Sequence, residues 1–517
     1  MTVLTQESLE FAKEHISRFY DTDFYPKPFE FEAIWYSWGE VVKELTSRNV
    51  HKMAFNSPRA LPWKKPKGGY RVVHQLEPLD SLVYVALVYQ VANDIELARI
   101  PQEESVACAY RINISEGSLF AAGSGYERFR EASKSLASTY SHVLLTDITD
   151  FYNQLYLHRL NNAIEHSNPK QKNLADDIEY FLTALNDKAS QGVPVGPASS
   201  IVLAEAVLID VDQFLIDLGV EHTRYVDDFR IFSSDIRELD MVLQHLTRYL
   251  YANHRLTLSS EKTFILSAPE FIGQLENPYE IEKIRVIEEI EVLHPYTQET
   301  LDVEYIEDDE KTDENVAQKI YEALEGVVKK NPIDLGFGRA LLRQARGLKT
   351  KEIVPLVTKY FDLLAPMANN VIIYLNDVTD DQLVEELRPF FSSIADANYV
   401  QSELIRMWIE WFLTNHVGFI KDAKIRAFLY KSPNLITQAR AAVLENNISW
   451  IRNKKSSYLN SGLWERRAIL FASQILPTDE KEAWLKQASL ASPYILDQWV
   501  SKWVLRKDDL MDEGLPF

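Results

Sequence analysis

The stretch RYVDDFRIFSS, residues 224–234, places two adjacent aspartates, Asp227 and Asp228, between runs of aromatic and β-branched residues. Such runs favour strands, and the short interval between them favours a tight turn, so the stretch predicts an antiparallel hairpin. Aspartate is common in turns, which makes a purely structural role possible. Two like charges at one turn repel each other, however, and a bound cation would relieve the repulsion. The hairpin alone therefore predicts either a plain turn or part of a metal site.

A second acidic stretch, VLLTDITDFYNQLY, ends an apolar strand with Asp147. A carboxylate in this position can cap the strand, but packing seldom requires it. Mg²⁺ prefers oxygen ligands and is usually held by one or two carboxylates together with substrate phosphates. Beside the hairpin, Asp147 and Asp227 would share two Mg²⁺ ions about 3.5–4 Å apart, an arrangement used in phosphoryl transfer. The two stretches together favour a metal site.

A third stretch, SQGVPVGPASS, residues 190–200, precedes the start of a predicted helix. Backbone N–H groups and the helix dipole at such a place favour a phosphate or a nucleotide base. The alternative is a Gly/Pro linker whose helix is capped by Ser199 or Ser200.

Two regions of different periodicity follow one another along the 517 residues. Up to about residue 275, strand-like runs are mixed with segments of helical spacing, which predicts an α+β region. Later, nearly all apolar spacing is helical, and an acidic segment that is predicted to be rich in turns connects the two regions. We therefore predict three parts, with boundaries 1–275, 276–314 and 315–517.

The helical region contains seven of the ten tryptophans: Trp408, Trp411, Trp450, Trp464, Trp484, Trp499 and Trp503. Their distribution among short helical segments resembles a stack of helix pairs, although no strict repeat period is present. The tryptophans favour helix packing, with base stacking as the alternative.

Local patterns in the first region predict individual elements. Thr5 is placed to cap an N-terminal amphipathic helix, and Gly68-Gly69 is placed to turn a hairpin in KKPKGGYRVVHQL. The segment LTLSSEKTFIL, residues 256–266, is predicted to be strand.

Charge and cysteine content narrow the class of protein. A formal net charge of −21 argues against general adsorption to nucleic acid, yet residues 48–71 carry seven basic side chains and no acidic one. That patch suits a small polyphosphate or one guided strand. The single cysteine, Cys108, excludes an internal disulfide framework and fits a reducing cytoplasm. No apolar run is long enough to span a membrane, and the N-terminus lacks the pattern of a signal peptide.

The stretches LLTDITDFY, QGVPVGPASSIVLAE and RYVDDFRIF, in this order and spacing, resemble polymerase motifs A, B and C of reverse transcriptases. WKKPKGGYRVVHQLEPLDSLVYVAL and ACAYRIN resemble the two blocks that precede these motifs, RLTLSSEKT resembles motif D, and EFIGQLENP resembles motif E. The resemblance covers about residues 45–275. It implies the fingers and palm of a right-hand polymerase that adds dNTPs, either directed by RNA or independent of a template.

The resemblance also implies residue roles. Asp147, Asp227 and Asp228 match the catalytic carboxylates that ligate two Mg²⁺ ions. Tyr152 matches the steric gate, whose ring would clash with a ribose 2′-hydroxyl and so favour deoxynucleotides. Lys262 matches the motif D lysine that protonates pyrophosphate.

Further matched positions face the nucleotide. Asp150 and Phe151 would lie against the triphosphate through their backbone N–H groups, and Gln191 and Gly192 would pack on the incoming nucleotide. The triphosphate would be gripped by Arg71 and by one of three neighbouring lysines, for which we take Lys65, with Lys64 and Lys67 as the alternatives.

The helical region on an acidic chain resembles bacterial reverse transcriptases of the abortive-infection and defence-associated (unknown-group) type. This resemblance implies a helical-repeat domain in place of a thumb, anti-phage defence in the bacterial cytoplasm, and homo-oligomers. It also implies single-stranded DNA made without an added template and attached to a tyrosine, for which Tyr20, Tyr25 and Tyr36 are candidates, each also explained by packing. Two alternatives stay open: an RNA-templated enzyme that works with a dedicated non-coding RNA, and a non-catalytic scaffold that senses nucleotides.

Overall fold

The computed structural model describes residues 3–20, 24–290, 313–395, 400 and 402–512. Two compact units divide the chain. The first comprises Met1–Phe24, Leu45–Ala60 and Val72–Lys319; the second comprises Tyr25–Glu44, Leu61–Arg71 and Ile320–Phe517. Two segments near the N-terminus thus group with the C-terminal helices. The predicted boundaries at 1–275, 276–314 and 315–517 remain a prediction.

Strands and helices are mixed in the first 290 residues, as predicted. The elements are α1 Gln6–Phe19, α2 Glu30–Tyr36, α3 Trp38–Ser47, β1 Arg59–Lys64, β2 Tyr70–Gln75, α4 Pro78–Ala98, β3 Ile112–Ser115, β4 Ser118–Phe120, α5 Tyr126–Thr139, β5 His142–Asp147, α6 Phe151–Gln154, α7 Leu157–Ser167, α8 Lys172–Leu185, α9 Ala198–Asp217, β6 Glu221–Tyr225, β7 Asp228–Ser233, α10 Ile236–Tyr249, β8 Phe264–Ser267, α11 Ala268–Leu275 and α12 Pro278–Ile290. The cap of α1 is confirmed, because the side chain of Thr5 accepts a hydrogen bond from the backbone of Ser8. The predicted hairpin around Gly68-Gly69 is also confirmed, with Lys65 N–H donating to the carbonyl of Gly69.

A four-stranded sheet with the order β6-β7-β5-β8 forms the centre of the first unit. Strand β5 pairs antiparallel with both β7 and β8 and is buried along much of its length. On one face, α5 and α11 close over an apolar cluster of Ala137, Val143, Phe232, Ala268 and Phe271. Helices α4 and α9 are apolar around most of their circumference and form the buried helical core of this unit, packing against each other.

Two local predictions differ from the structure. Only the last part of the segment 256–266 is a strand; Leu258 makes an isolated bridge to Ile148, and a short 3-10 helix spans Ser260–Lys262. Its polar SSEK sequence provides few apolar side chains for a sheet. The acidic segment begins as helix α12 rather than as turns, and residues 291–312 of this segment lie outside the described residues.

The second unit is helical apart from residues of the β1–β2 hairpin. The helices of the C-terminal region are α13 Asp313–Lys329, α14 Leu335–Gly347, α15 Val354–Lys359, α16 Ala368–Val378, α17 Asp381–Ile394, α18 Glu403–Asn415, α19 Ala423–Tyr430, α20 Leu435–Leu444, α21 Ile448–Lys455, α22 Leu463–Ala472, α23 Thr478–Ala491 and α24 Ile495–Asp512. Alternate helices from α14 to α24 pack each against the next, which is the predicted stack of helix pairs. The α+β fold class with an all-helical C-terminal region is confirmed.

The tryptophans of this unit serve its packing. Trp408, Trp499 and Trp503 are buried, and the other four of the C-terminal region are partly buried. A buried ion pair of 2.8 Å between Glu30 and Arg467 joins α2 to α22. None of the helices in the described ranges is both long and apolar enough to cross a membrane.

Candidate active site

The acidic residues predicted to form one site meet at one edge of the central sheet. Asp147 is the last residue of β5 and Asp228 is the first of β7, and the register of these strands pairs the two directly. Tyr225, at the end of β6, is opposite Asp228 on its other side. The predicted hairpin is confirmed, and it brings Asp228 beside a carboxylate from a distant part of the sequence.

The turn of this hairpin, Val226 and Asp227, has an unusual backbone. Val226 has φ +54°, a left-handed conformation that costs a β-branched residue about 1–3 kcal/mol. Two hydrogen bonds hold the turn: the Ile148 N–H donates to the carbonyl of Asp227 at 3.1 Å, and the Arg224 guanidinium donates to the carbonyl of Val226 at 3.0 Å. Strain of this kind is typical of functional sites and persists only where surrounding contacts fix it.

The carboxylates repel one another. Partial burial, together with the negative charges of Asp227 and Asp147, raises the pKa of Asp228 to about 7. Asp228 nevertheless remains exposed as a residue, whereas Asp147 is 5% exposed. The site is therefore accessible to solvent through Asp228.

Lys262, the predicted motif D lysine, contacts one of these carboxylates, Asp147. Its ammonium Nζ is 2.5 Å from Asp147 Oδ2. Partial burial would lower the pKa of Lys262, but the hydrogen bond and charge of Asp147 outweigh it and raise that pKa. The backbone supports the same contact, because the Ser259 N–H donates to the Asp147 carbonyl at 2.8 Å.

Three carboxylates that repel one another provide the oxygen ligands that Mg²⁺ prefers. Within the residues that the structure describes, no group of three or more acidic, histidine or cysteine side chains is arranged to hold a metal ion by itself. Mg²⁺ rarely needs one, because it retains water and binds substrate phosphates as further ligands. Asp147, Asp227 and Asp228 therefore fit a metal that is completed by the substrate.

We expect the affinity for Mg²⁺ to rise as the pH increases from about 6 to about 8. With a pKa of about 7, the Asp228 carboxyl holds a proton below that pH, and the metal must displace it; above that pH the ligand is already ionised. The measurement is the shift in melting temperature caused by Mg²⁺ at each pH. The Asp228→Asn variant is the control and should lose this pH dependence; a dependence unchanged in the variant would contradict the assignment.

The predicted nucleotide-facing loop lies next to the residues that follow β5. Gly192 donates through its N–H to the carbonyl of Leu155 at 2.7 Å, and the Val193 N–H donates to the carbonyl of Tyr152 at 2.9 Å. Gln191 donates from Nε2 to Gln154 Oε1 at 2.8 Å. Gly192 has φ +93°, and an added Cβ would come within 3.2 Å of the Asn153 carbonyl oxygen, so a glycine is required here.

Tyr152, the predicted steric gate, is thus fixed through its backbone to this loop, and its side chain is partly exposed. Asp150 is exposed with φ +49° at the start of α6, whereas the Phe151 ring is buried, so only the backbone of Phe151 is placed to meet a ligand. Helix α9 begins after Pro197; Ser199 and Ser200 lie inside it, so the alternative in which one of them caps this helix is wrong.

The predicted triphosphate-binding residues lie on the β1–β2 hairpin. Lys64, Lys65, Lys67 and Arg71 are all exposed. Arg71 and the three lysines belong to the second compact unit, whereas the three carboxylates belong to the first.

Residues 63–297 match the family model described as reverse transcriptase (RNA-dependent DNA polymerase). This segment is a reverse transcriptase domain. The match confirms the reverse transcriptase core predicted from the motifs, and the domain includes every predicted site residue from Lys64 to Lys262.

The solved structures that match this chain include telomerases from two Candida species. Telomerase from Candida albicans, in a complex with a TWJ fragment of telomeric RNA, is 12% identical with a TM-score of 0.31 over 74% of this chain and 71% of that chain. Apo telomerase from Candida Tropicalis is 12% identical with a TM-score of 0.34 over 69% and 68% of the two chains. No curated protein matches the chain. The reverse transcriptase domain therefore rests on the family model and on the motifs.

Sequence reasoning missed Arg224 in this reverse transcriptase domain. The residue directly precedes Tyr225 in the hairpin and is fully buried. The available signal was an arginine directly beside the aromatic and β-branched residues of the predicted hairpin, since a charge buried there requires buried partners.

Proposed function

We propose that this chain is a DNA polymerase that joins deoxynucleotides to a primer hydroxyl. The observation that carries the proposal is the direct pairing of Asp147 with Asp228 beside the strained Asp227 turn, inside a reverse transcriptase domain. A pair of carboxylates beside a lysine, with Asp228 exposed to solvent, is suited to nucleotidyl transfer, in which negative charge must be stabilised on phosphate oxygens.

In the proposed reaction the oxygen of a primer 3′-hydroxyl bonds to the α-phosphorus of a dNTP, and the bond from that phosphorus to pyrophosphate breaks. Two Mg²⁺ ions, held by Asp147, Asp227 and Asp228, would supply Lewis-acid stabilisation of the attacking and leaving oxygens. The hydroxyl proton passes to solvent. Lys262, whose ammonium already reaches this cluster, donates a proton to the departing pyrophosphate.

The nucleotide would lie against the loop at Gln191 and Gly192, with its sugar facing Tyr152. The backbone bond from Val193 to Tyr152 fixes the distance between these two parts, which supports a pocket of constant width. The backbone N–H groups of Asp150 and Phe151 would face the triphosphate. An aromatic ring at this place favours a sugar without a 2′-hydroxyl.

We expect the Arg71→Ala variant to raise the KM for dNTPs by about 10-fold or more, because a bidentate contact between guanidinium and phosphate is lost. Steady-state incorporation kinetics measure the change. Alanine variants of Lys64, Lys65 and Lys67 identify the second cation, for which we propose Lys65. Arg237→Ala, which removes an exposed cation on α10, is the control and should leave KM unchanged. An equal effect of Arg71→Ala and Arg237→Ala would exclude a specific contact.

We further propose that the enzyme acts in anti-phage defence in the bacterial cytoplasm as a homo-oligomer, and that it synthesises DNA without an added template from a tyrosine of its own chain. The helical stack from α14 to α24 supports the resemblance on which this proposal rests. Among the three candidate tyrosines, Tyr20 and Tyr25 are buried, whereas Tyr36 is 43% exposed, so Tyr36 is the most accessible candidate for priming.

The experiment for this proposal incubates the purified protein with labelled dNTPs and Mg²⁺, with and without RNA template. Label that stays with the protein under denaturing conditions and is released by protease supports priming from a tyrosine, and Tyr36→Phe should abolish it. Loss of synthesis after RNase treatment would instead favour an RNA-templated enzyme with a bound RNA. That alternative is supported by the exposed basic hairpin. Absence of any dNTP incorporation would contradict both the tyrosine-primed and the RNA-templated enzyme. Protection against phage by the Asp227→Ala, Asp228→Ala double variant would favour a non-catalytic scaffold.

A further inference from the structure

The side chain of Arg224 is fully buried directly behind the catalytic turn. Its guanidinium faces two carboxylates of α9. It donates to both oxygens of Asp212, at 2.8 and 2.6 Å, and to both oxygens of Glu205, at 3.1 and 3.0 Å. The fifth N–H donates to the carbonyl of Val226 at 3.0 Å. All five donors of this arginine are therefore used, and one of them reaches the turn itself.

The two carboxylates are held in place by a longer buried chain of charges. Arg99 Nη2 lies 2.8 Å from Glu205 Oε2, Arg99 Nη1 lies 3.0 Å from Glu96 Oε2, and Arg111 Nη2 lies 2.5 Å from Glu96 Oε1. Three arginines thus balance three carboxylates. The backbone of Arg224 is fixed as well, since its N–H donates to Val106 and its carbonyl accepts from Cys108.

Stability alone is a weak explanation for this arrangement. Buried ion pairs often stabilise a fold no better than apolar side chains of similar size, because desolvation offsets their attraction. What an apolar residue cannot do is donate to the Val226 carbonyl. Val226 has a backbone conformation that valine adopts rarely, and the orientation of that carbonyl is part of the conformation.

We propose that Arg224 is a positioning residue of the polymerase site, which fixes the Val226–Asp227 turn and ties it to helix α9. Helix α9 begins directly after the loop that contains Gln191 and Gly192. Arg224 therefore fixes the position of the Val226–Asp227 turn relative to the helix that follows the Gln191–Gly192 loop. The inference rests on the proposed polymerase function.

The test replaces Arg224 with lysine, which keeps the positive charge between Asp212 and Glu205 but lacks the planar fork of five donors. The matched control is Arg111→Lys, because Arg111 belongs to the same buried chain of charges and makes no contact with the turn. We expect Arg224→Lys to lower kcat by about 100-fold, as for a misplaced reacting group, with little change in the KM for dNTPs. Arg111→Lys should keep kcat close to that of the wild type at a similar melting temperature.

A folded Arg224→Lys variant with the wild-type kcat would overturn the proposal, as would equal losses in Arg224→Lys and Arg111→Lys. If circular dichroism shows that Arg224→Lys does not fold, Asp212→Asn takes its place, because it removes one of the carboxylates that aim the guanidinium. Wild-type protein that incorporates no dNTP would refute the polymerase function instead. In that case, Mn²⁺ binding measured by electron paramagnetic resonance tests the positioning role of Arg224. Weaker binding in Arg224→Lys than in Arg111→Lys supports this role. Equal binding in the two variants, or no binding in any form of the protein, overturns it.

Discussion

Replacing Asp227 with asparagine should reduce dNTP incorporation by about 10³-fold or more, while the protein stays folded. Asp227 lies in the turn, next to the directly paired Asp147 and Asp228, and its carbonyl accepts a hydrogen bond from Ile148 that asparagine retains. The substitution therefore changes the charge of the side chain and leaves the backbone contacts in place. Because Asp227 contributes to repulsion within the cluster, removing its charge should also lower the pKa of Asp228.

Two readouts are needed for Asp227→Asn: single-turnover incorporation of labelled dNTP, and the melting temperature with and without Mg²⁺. Asp240→Asn is the matched control, because Asp240 is exposed on α10 and hydrogen-bonds only locally to Gln244. It removes the same charge and should leave both readouts unchanged. Wild-type turnover by Asp227→Asn would exclude the carboxylates from the chemistry, and the scaffold alternative would gain support.

The second large effect concerns the choice of sugar. Tyr152→Ala should improve the use of ribonucleotides relative to deoxynucleotides by about 10- to 100-fold. The substitution removes the ring with which the ribose 2′-hydroxyl would clash. The loop that faces Tyr152 is held to its backbone, so the loop should not collapse into the vacated space. The measurement is the ratio of kcat/KM for each rNTP and its dNTP.

Tyr152→Phe separates the ring from the hydroxyl. Phenylalanine retains the aromatic face, so the selectivity of the wild type should persist. If Tyr152→Phe relaxes the selectivity as much as Tyr152→Ala does, the hydroxyl and not the ring discriminates, and the steric gate is refuted. If neither variant changes the ratio, the sugar does not face Tyr152.

The sequence allowed prediction of those parts of the site that depend on local patterns. The hairpin at 224–234 follows from strand-forming residues on both sides of a turn, and the strand that ends at Asp147 follows from its apolar run. Gly192 was assigned from its motif, and its positive φ gives the physical reason that the motif contains glycine. The helical character of the C-terminal region followed from periodicity.

Long-range partners could not be predicted in this way. Arg224 is neutralised by side chains of α9, and no local pattern indicates which of the many carboxylates will be buried beside it. The contact of Lys262 with Asp147 likewise depends on a segment whose first half is not a strand. The grouping of residues 25–44 with the C-terminal helices arises from tertiary contacts such as Glu30 with Arg467.

The register of the sheet also has a consequence for folding kinetics. Asp147 and Asp228 are 81 positions apart in the chain, yet the register pairs them directly across two adjacent central strands. Closing so long a loop costs entropy before any contact compensates for it, and such pairings form slowly. During synthesis, the end of β5 at Asp147 therefore cannot pair until β7 has been synthesised. Catalytic competence should consequently appear in a single late step, together with the sheet, rather than grow gradually with chain length.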